Sequence, residues 1–394
     1  MELEKNVLEE LFEERLTRRE AVKRAAQVSA ALGLGPLLIA SRATSSAYAR
    51  TTKVDVVRWI SPRGTLDVMD DYELWIAIKQ GFFARHNLQV ELIAGPISDA
   101  LATTKFVAQH KADMGYPSPG VLTASIDGGI PVIAAWEMMD GQTFDFSLPP
   151  NSTITSPKQL AGKTIALGSA GWSVIVDPML VEVGVDPKSV KYVNAGAQWS
   201  EAVAQGKVDA GLSWEGLRAQ LLGQGLKLKF LIGTKFSRFP SNSYAIRKAD
   251  LSNAQMRDVY TRFFRGMVEG FEFMRFNPRA AAQITYDARP ALAKTLSAQL
   301  ALDSMVQLGS LYHLSRREGH GYGWHNPASW RSYLHVIYKL GQTKRLLTPA
   351  EVLTNQFVQP ANSGAHIALA RKQARAFKLN AQFAKTKVPA NEPL

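Results

Sequence analysis

From residue 54 onward, short apolar runs alternate with stretches in which apolar residues recur every three or four positions. Val54 to Ile60 is β-branched and predicts a strand, ended by the loop Ser61-Pro62-Arg63-Gly64. Asp71 to Phe83 carries Leu74, Trp75, Ile78 and Phe82 on one side and Gly81 near its end, which predicts a helix. A second strand follows over Val90 to Ile93. Ser98 caps a helix that runs through Leu101 and Val107 to Gln109, and a third strand, Asp113 to Tyr116, stops at Pro117-Ser118-Pro119-Gly120. Three β-α units in a row predict a mainly parallel sheet with ligand loops at the carboxyl ends of its strands.

The alternation restarts after Pro131 to Met138 and the turn Met139-Asp140-Gly141-Gln142. Strands are expected at Phe144 to Leu148, Thr164 to Leu167, Val190 to Asn194, Asp209 to Trp214 and Leu228 to Ile232. Ser241 to Arg247 then reads as a strand that returns the chain to the first sheet. Two β/α lobes joined by two crossing segments place a cleft between them, a common location for small-molecule sites. Beyond Asn253 the pattern is helical, over Met256 to Phe276, Pro290 to Tyr312 and Pro327 to Gly341. The expected division is residues 50–142 for the first part of lobe 1, 143–236 for lobe 2, 237–364 for the return strand and helices of lobe 1, and 365–394 for a basic tail. The tail is expected to be exposed and partly disordered.

Within lobe 2 the stretch Lys158 to Ser173 is the most suggestive. A short apolar run ends in Gly168-Ser169-Ala170-Gly171 and leads toward a helix, a geometry whose unpartnered amides favour an anion. Trp172 adds an apolar wall. Pro178 interrupts the following helix, which therefore kinks or restarts at Asp177.

Composition narrows the class. Apolar content of 46% and charged content of 20% are those of a globular chain, and the absence of cysteine excludes disulfides, thiolate metal sites and a thiol nucleophile. The net charge of +12 is scattered and forms no block, so it argues for a basic protein that handles anions and not for nucleic-acid binding. Residues 1–49 resemble an export signal. Thr17-Arg18-Arg19-Glu20-Ala21-Val22-Lys23 is similar to a twin-arginine pattern, Ala25 to Ala40 is weakly apolar, and Ala47-Tyr48-Ala49 supplies a small-x-small cleavage site. This segment holds seven basic and seven acidic residues, so a mature chain keeps the whole positive excess.

A family resemblance emerges from several motifs in order. Leu74 to Gly81 followed by Phe82-Phe83-Ala84-Arg85-His86-Asn87-Leu88-Gln89-Val90-Glu91 is similar to a signature of periplasmic substrate-binding proteins of the nitrate/sulfonate/taurine branch of ABC importers. Ala112-Asp113-Met114-Gly115, Leu160 to Ala166, Gly206 to Ala210 ahead of Trp214-Glu215, and Leu353 to Phe357 follow in family order. The resemblance spans Val54 to Val358. It implies an α/β, two-lobed periplasmic binding protein fold of type II, each lobe a mainly parallel sheet flanked by helices, with a C-terminal helical extension on lobe 1. It also implies a periplasmic monomer that closes on a small organic anion or zwitterion, a sulfonate or aromatic carboxylate, and delivers it to a permease driven by a cytoplasmic ATPase. Such a protein catalyses nothing and needs no cofactor.

Carried over by position, the ligand contacts are Arg63, Ser118, Ser169, Ala170, Gly171, Trp172, Trp214 and Glu215. Arg63 suits two-point pairing with a carboxylate or sulfonate. Trp172 and Trp214, with Phe144 or Trp136, offer flat surfaces, and Asp140 and Glu215 suit an amine or ring N–H. The first loop is longer than usual and carries Asp67, Asp70 and Asp71. His313, His320 and His325 fit no helical metal pair and read as a loop docked against the sheet, so no metal is expected. Two alternatives share the resemblance: binding or synthesis of the thiamine pyrimidine precursor, and a sensor-associated binding protein. The synthases characteristically use a cysteine-rich segment, which this chain lacks.

Overall fold

The computed structural model describes residues 54–96, 101–139 and 141–390. The export-signal region, Ser98 and Asp140 therefore lie outside the described residues. No helix among the described residues is long and apolar enough to cross a membrane.

Ten strands form two five-stranded sheets. The first contains β1 (Asp55–Ser61), β2 (Leu88–Ala94), β3 (Met114–Gly115), β4 (Val132–Glu137) and β10 (Ser243–Arg247), in the order β2-β1-β3-β10-β4. The second contains β5 (Phe144–Leu148), β6 (Thr164–Leu167), β7 (Lys191–Asn194), β8 (Ala210–Trp214) and β9 (Lys229–Leu231), in the order β7-β6-β8-β5-β9. In each sheet one strand runs against the rest: β10 is antiparallel to β3 and β4, and β5 is antiparallel to β8 and β9. The expected two-lobed α/β fold with a returning strand is what forms.

The antiparallel strands matter for function. Because β5 and β10 enter their sheets from the edge at which the parallel strands end, the residues that precede them, Thr143 and Asn242, reach the same edge as the loops after β1, β3, β6 and β8. Strand-end loops from both lobes thus converge on one cleft, as open α/β sheets require.

The helices depart from expectation in several places, one of them Pro290 to Tyr312, where a 3-10 turn Pro290–Lys294 precedes a separate helix Ala298–Tyr312 capped by Ser297. The helix predicted over Asp71 to Phe83 is two, Tyr72–Lys79 and Phe82–Arg85, because Gly81 takes a left-handed φ of 71° between them. Pro178 neither ends nor restarts its helix, which runs unbroken from Ser173 to Glu182. The C-terminal segment is not an exposed tail up to residue 390. Ile367–Ala376 and Ala381–Ala384 are helices whose Ala370, Ala374 and Phe383 are fully buried. Small alanine side chains let the first of them lie against the long helix Ala254–Phe276, and Asn277 donates to the Ala374 carbonyl at 2.9 Å.

That long helix is the centre of the lobe 1 core. Phe264 stacks on Trp136 of β4 at 4.5 Å between ring centres, so Trp136 is core and not cleft. Gly270 sits where the helix crosses Tyr72–Lys79, and a Cβ there would lie 2.5 Å from the Glu73 carbonyl oxygen. Alanine is the better helix former by about 1 kcal/mol, yet here it forces two backbones apart, a cost of about 1–3 kcal/mol. Gly270→Ala should therefore lower the urea midpoint, against its helix propensity, and a midpoint that rises would show that the two helices part at little cost.

Candidate functional site

The cleft between the sheets holds a cavity of about 150 Å³. Lobe 1 contributes Arg63 and Asp70 from the loop after β1, Tyr116 after β3, Met139 after β4 and Asn242 before β10. Lobe 2 contributes Thr143 and Phe144 at the start of β5, Trp172 and Ile175 after β6, and Leu212 and Trp214 at the end of β8. The volume is below the ~300 Å³ at which drug-sized sites begin, so it suits a single ring.

One wall is aromatic. Trp172 meets Trp199 and Trp214 edge-on, at 5.3 and 5.9 Å, and Trp199 stacks behind Trp214 at 6.1 Å. The Trp199 indole N–H donates to the Leu212 carbonyl at 2.8 Å, which fixes its ring against the end of β8. Gly168 makes the fold-back of Trp172 possible, because a Cβ at that position would meet the indole at 2.6 Å. Trp199 escaped the sequence reading. Its signal was present in its position, at a helix start just after β7 and thus at the same sheet edge as the other two.

The opposite wall is charged. Arg63 pairs with Asp71 through a short contact and with Asp70 at 3.6 Å, and its guanidinium lies 5.8 Å from the Tyr116 ring centre. Burial opposes the arginine's charge, but the two carboxylates outweigh it and hold the proton more firmly than usual. Burial and the neighbouring Asp71 push the Asp70 carboxyl up to about 6, against the pull of Arg63. Glu73, fully buried behind them, is pushed well above the carboxylate range by burial and accepts a hydrogen bond from the Tyr244 hydroxyl at 2.9 Å. Arg63 is thus committed to two acids and does not present a free cation to an anionic ligand. Asp67, the third acid of the long first loop, turns away to Arg289.

Several polar atoms of the wall have no partner among the described residues: Asp70 Oδ1, Arg63 Nε, Thr143 Oγ1 and Asn242 Oδ1. Buried groups of this kind are normally satisfied, so these four leave hydrogen-bonding capacity unmet beside the cleft.

The remaining expected contacts are placed elsewhere. Ser118 caps the helix Pro119–Asp127 and lies outside the cavity wall. Ser169, Ala170 and Gly171 are exposed, and the N–H groups of Trp172 and Ser173 are engaged by the carbonyls of Ser169 and Ala170 within a 3-10 turn. Glu215 is buried against Arg218, which also reaches Asp145 at 3.2 Å, so its carboxylate serves the inside of lobe 2. Of the candidate residues, the structure brings together Arg63, Trp172 and Trp214.

A larger cavity, about 610 Å³, opens beside the crossing segments, near Glu182, Ser237 and Arg238. Glu182 there accepts from the Ser237 hydroxyl and from the Arg238 N–H at 2.6 Å, so its carboxylate is already engaged within the protein.

Asp70 also makes the site sensitive to pH. An unfolded aspartate titrates near 4, so between about pH 4 and 6 the folded chain holds a proton that the unfolded chain has lost. That favours the folded state as pH falls and is lost as pH rises through 6. Asp70→Asn cannot titrate, so the urea midpoint of the wild type relative to this variant should fall between about pH 5 and 7. Parallel midpoints would show that Asp70 titrates like an exposed aspartate.

A model of the NMT1/THI5-like family matches residues 71–281, more than half of the chain. A 4-amino-5-hydroxymethyl-2-methylpyrimidine phosphate synthase from Legionella pneumophila is 21% identical over 227 residues, 56% of this chain and 70% of that protein. One of the same name from Uromyces fabae is 25% identical over 146 residues, 37% of this chain and 42% of that protein. The chain spans less than half the length of three of the curated relatives that it matches, 42% to 45%. Among solved structures, the periplasmic aliphatic sulphonate binding protein SsuA from Escherichia coli superposes with a TM-score of 0.59 at 13% identity, covering 86% of this chain and 98% of that one. The alkanesulfonate-binding protein SsuA from Xanthomonas axonopodis pv. citri, bound to MOPS, gives 0.57 at 10% identity, covering 77% and 99%. These likenesses show the periplasmic binding protein fold. The expectation of a protein without catalysis is corrected by the curated relatives, which are named as a synthase. By its sequence over residues 71–281, the chain belongs to the NMT1/THI5-like family.

Proposed function

We propose that the cleft recognises a small flat nitrogen heterocycle of the aminopyrimidine class, capturing it by closure of the two lobes. The observation that carries this reading is the neutralisation of Arg63 by Asp70 and Asp71 opposite a tryptophan wall. An aminopyrimidine places an N–H donor next to a ring nitrogen acceptor. On this reading the Asp70 carboxylate accepts and the Arg63 guanidinium donates; both side chains line the cavity, and each keeps one buried atom, Asp70 Oδ1 and Arg63 Nε, without a partner among the described residues. Trp172 and Trp214 supply the ring faces. A sulfonate, by contrast, would need a free cation where the structure has an ion pair with an acid in excess. The names of the curated relatives, built on a substituted aminopyrimidine, agree with this ligand class.

A delivery role in the periplasm is supported by structural neighbours that include a ligand-binding component of an ABC-type import system from Staphylococcus aureus and a periplasmic sulphonate-binding protein. On this reading the chain is exported and hands its ligand to a membrane permease.

Calorimetry with 4-amino-5-hydroxymethyl-2-methylpyrimidine, taurine and an alkanesulfonate decides the ligand class. The pyrimidine should bind and quench tryptophan fluorescence, with the two sulfonates at least about a hundredfold weaker. Trp214→Ala should cost about tenfold to a hundredfold in affinity, and Asp70→Asn a similar factor through loss of a charge-assisted bond. Tight sulfonate binding that survives Asp70→Asn would reverse the assignment.

A further inference from the structure

Away from the cleft, on the outer side of lobe 1, three side chains from distant parts of the chain meet. His86 follows the short helix Phe82–Arg85, Glu269 lies on the long helix Ala254–Phe276, and His366 opens the C-terminal helix Ile367–Ala376. One ligand atom from each, two imidazole nitrogens and a carboxylate oxygen, lies within 4.8 Å of the other two. His86 Nε2 stands 2.8 Å from Glu269 Oε1, and the His86 and His366 rings are parallel within 4° at 5.3 Å. We propose that this trio is a binding site for a divalent transition ion of the zinc class.

The chemistry of the donors argues for it. Two imidazoles and one carboxylate are a donor set that suits zinc, with an open position left for water. Glu269 is fully buried, and its Oε1 already accepts from the His366 main-chain N–H at 2.7 Å, while its Oε2 has no partner among the described residues. A buried carboxylate oxygen without a partner is costly. A bound cation satisfies it, where the hydrogen bond to the His86 imidazole satisfies only the other oxygen.

Access and adjustment are also provided. His86 is nearly buried, which fixes one ligand, whereas His366 is exposed and leaves an entry path. Two ligands of one tetrahedral zinc stand about 3.3 Å apart, given bonds of roughly 2.0–2.1 Å, so His366 has a short distance to close and the freedom to close it. The neighbouring cations are engaged elsewhere: Arg262 donates to the His86 carbonyl and is paired with Asp55 and Asp258, Arg85 donates to the Gln373 side chain, and Arg265 to the Pro360 carbonyl. An ion held here ties the C-terminal helix to the core of lobe 1 and so stabilises its docking. Among the described residues, the other histidines weighed for a metal, His313, His320 and His325, do not form such a group. His325 is buried against Asn355, and His320 stacks on Trp324.

The test uses the full chain, without a histidine tag and stripped with chelator, titrated with zinc chloride by calorimetry and followed by thermal unfolding. One ion should bind per chain, and Tm should rise by several degrees at saturation. His366→Ala, at an exposed position that leaves the fold intact, should weaken zinc binding at least about tenfold and remove the Tm rise, whereas His320→Ala should change neither. Cobalt in place of zinc should give the intense visible bands of a four-coordinate site in wild type and lose them in His366→Ala. Absence of saturable zinc binding, or binding that His366→Ala leaves unchanged, overturns the site. Neither result bears on the pyrimidine cleft, whose ligand titrations are read separately.

Discussion

A guanidinium buried between two carboxylates constrains this cleft more than any other contact. Removing Arg63, Asp70 and Asp71 from water is unfavourable for each alone, and the cluster persists because the charges compensate one another at short range. With one cation and two acids the set is not neutral unless a proton or a positive ligand edge joins it, and Asp70 responds by holding its proton to about pH 6. The same imbalance selects ligands. A donor edge completes the cluster, whereas an anion adds to the excess.

The two sheets make that chemistry possible by bringing their edges together. Each sheet contributes one antiparallel strand that starts at the cleft, so lobe 1 gains Asn242 just before β10 and lobe 2 gains Thr143 just before β5, beside the usual strand-end loops. Across the same gap the helix Leu217–Gly223 of lobe 2 packs on Ala298–Tyr312, and the Ser304 hydroxyl donates to the Gly216 carbonyl at 2.8 Å. Gly216 takes a left-handed φ of 83°, and a Cβ there would meet Leu308 at 2.7 Å. Leu308 is itself part of the cavity wall, so the contact between lobes and the shape of the pocket depend on one leucine.

Much of this was legible in the sequence because strands announce themselves. Runs such as Val54 to Ile60 and Thr164 to Leu167 are apolar, short and bounded by turn residues, and their alternation with helical spacing implies the sheet edges where ligands bind. What the pattern does not carry is which side chains neutralise which. Arg63, Asp70 and Asp71 are close in sequence, yet only the folded loop turns Asp67 outward to Arg289 and the other two inward. The Ser169 loop differs for a related reason: a 3-10 turn engages the Trp172 and Ser173 amides and leaves Ser169 exposed. The C-terminal helices were missed because alanine and basic residues resemble a solvated tail, although in Ile367–Ala376 the alanines are the contact face.

Recognition in this cleft is divided between the lobes by kind as well as by place. Lobe 2 presents the indoles of Trp172 and Trp214, whose attraction for a ring is broad and tolerates many ligands. Lobe 1 presents Asp70, Arg63 and Asn242, whose hydrogen bonds are directional and reject a ligand with the wrong edge. Neither half alone encloses a ring, since the cavity has walls only when both sheet edges face each other. On the proposed reading, stacking holds the ligand while the polar edge is tested, and a mismatched edge leaves buried acceptors unpaired. That penalty falls on the closed state and not on the open one, so discrimination appears as a shift in the balance between the two.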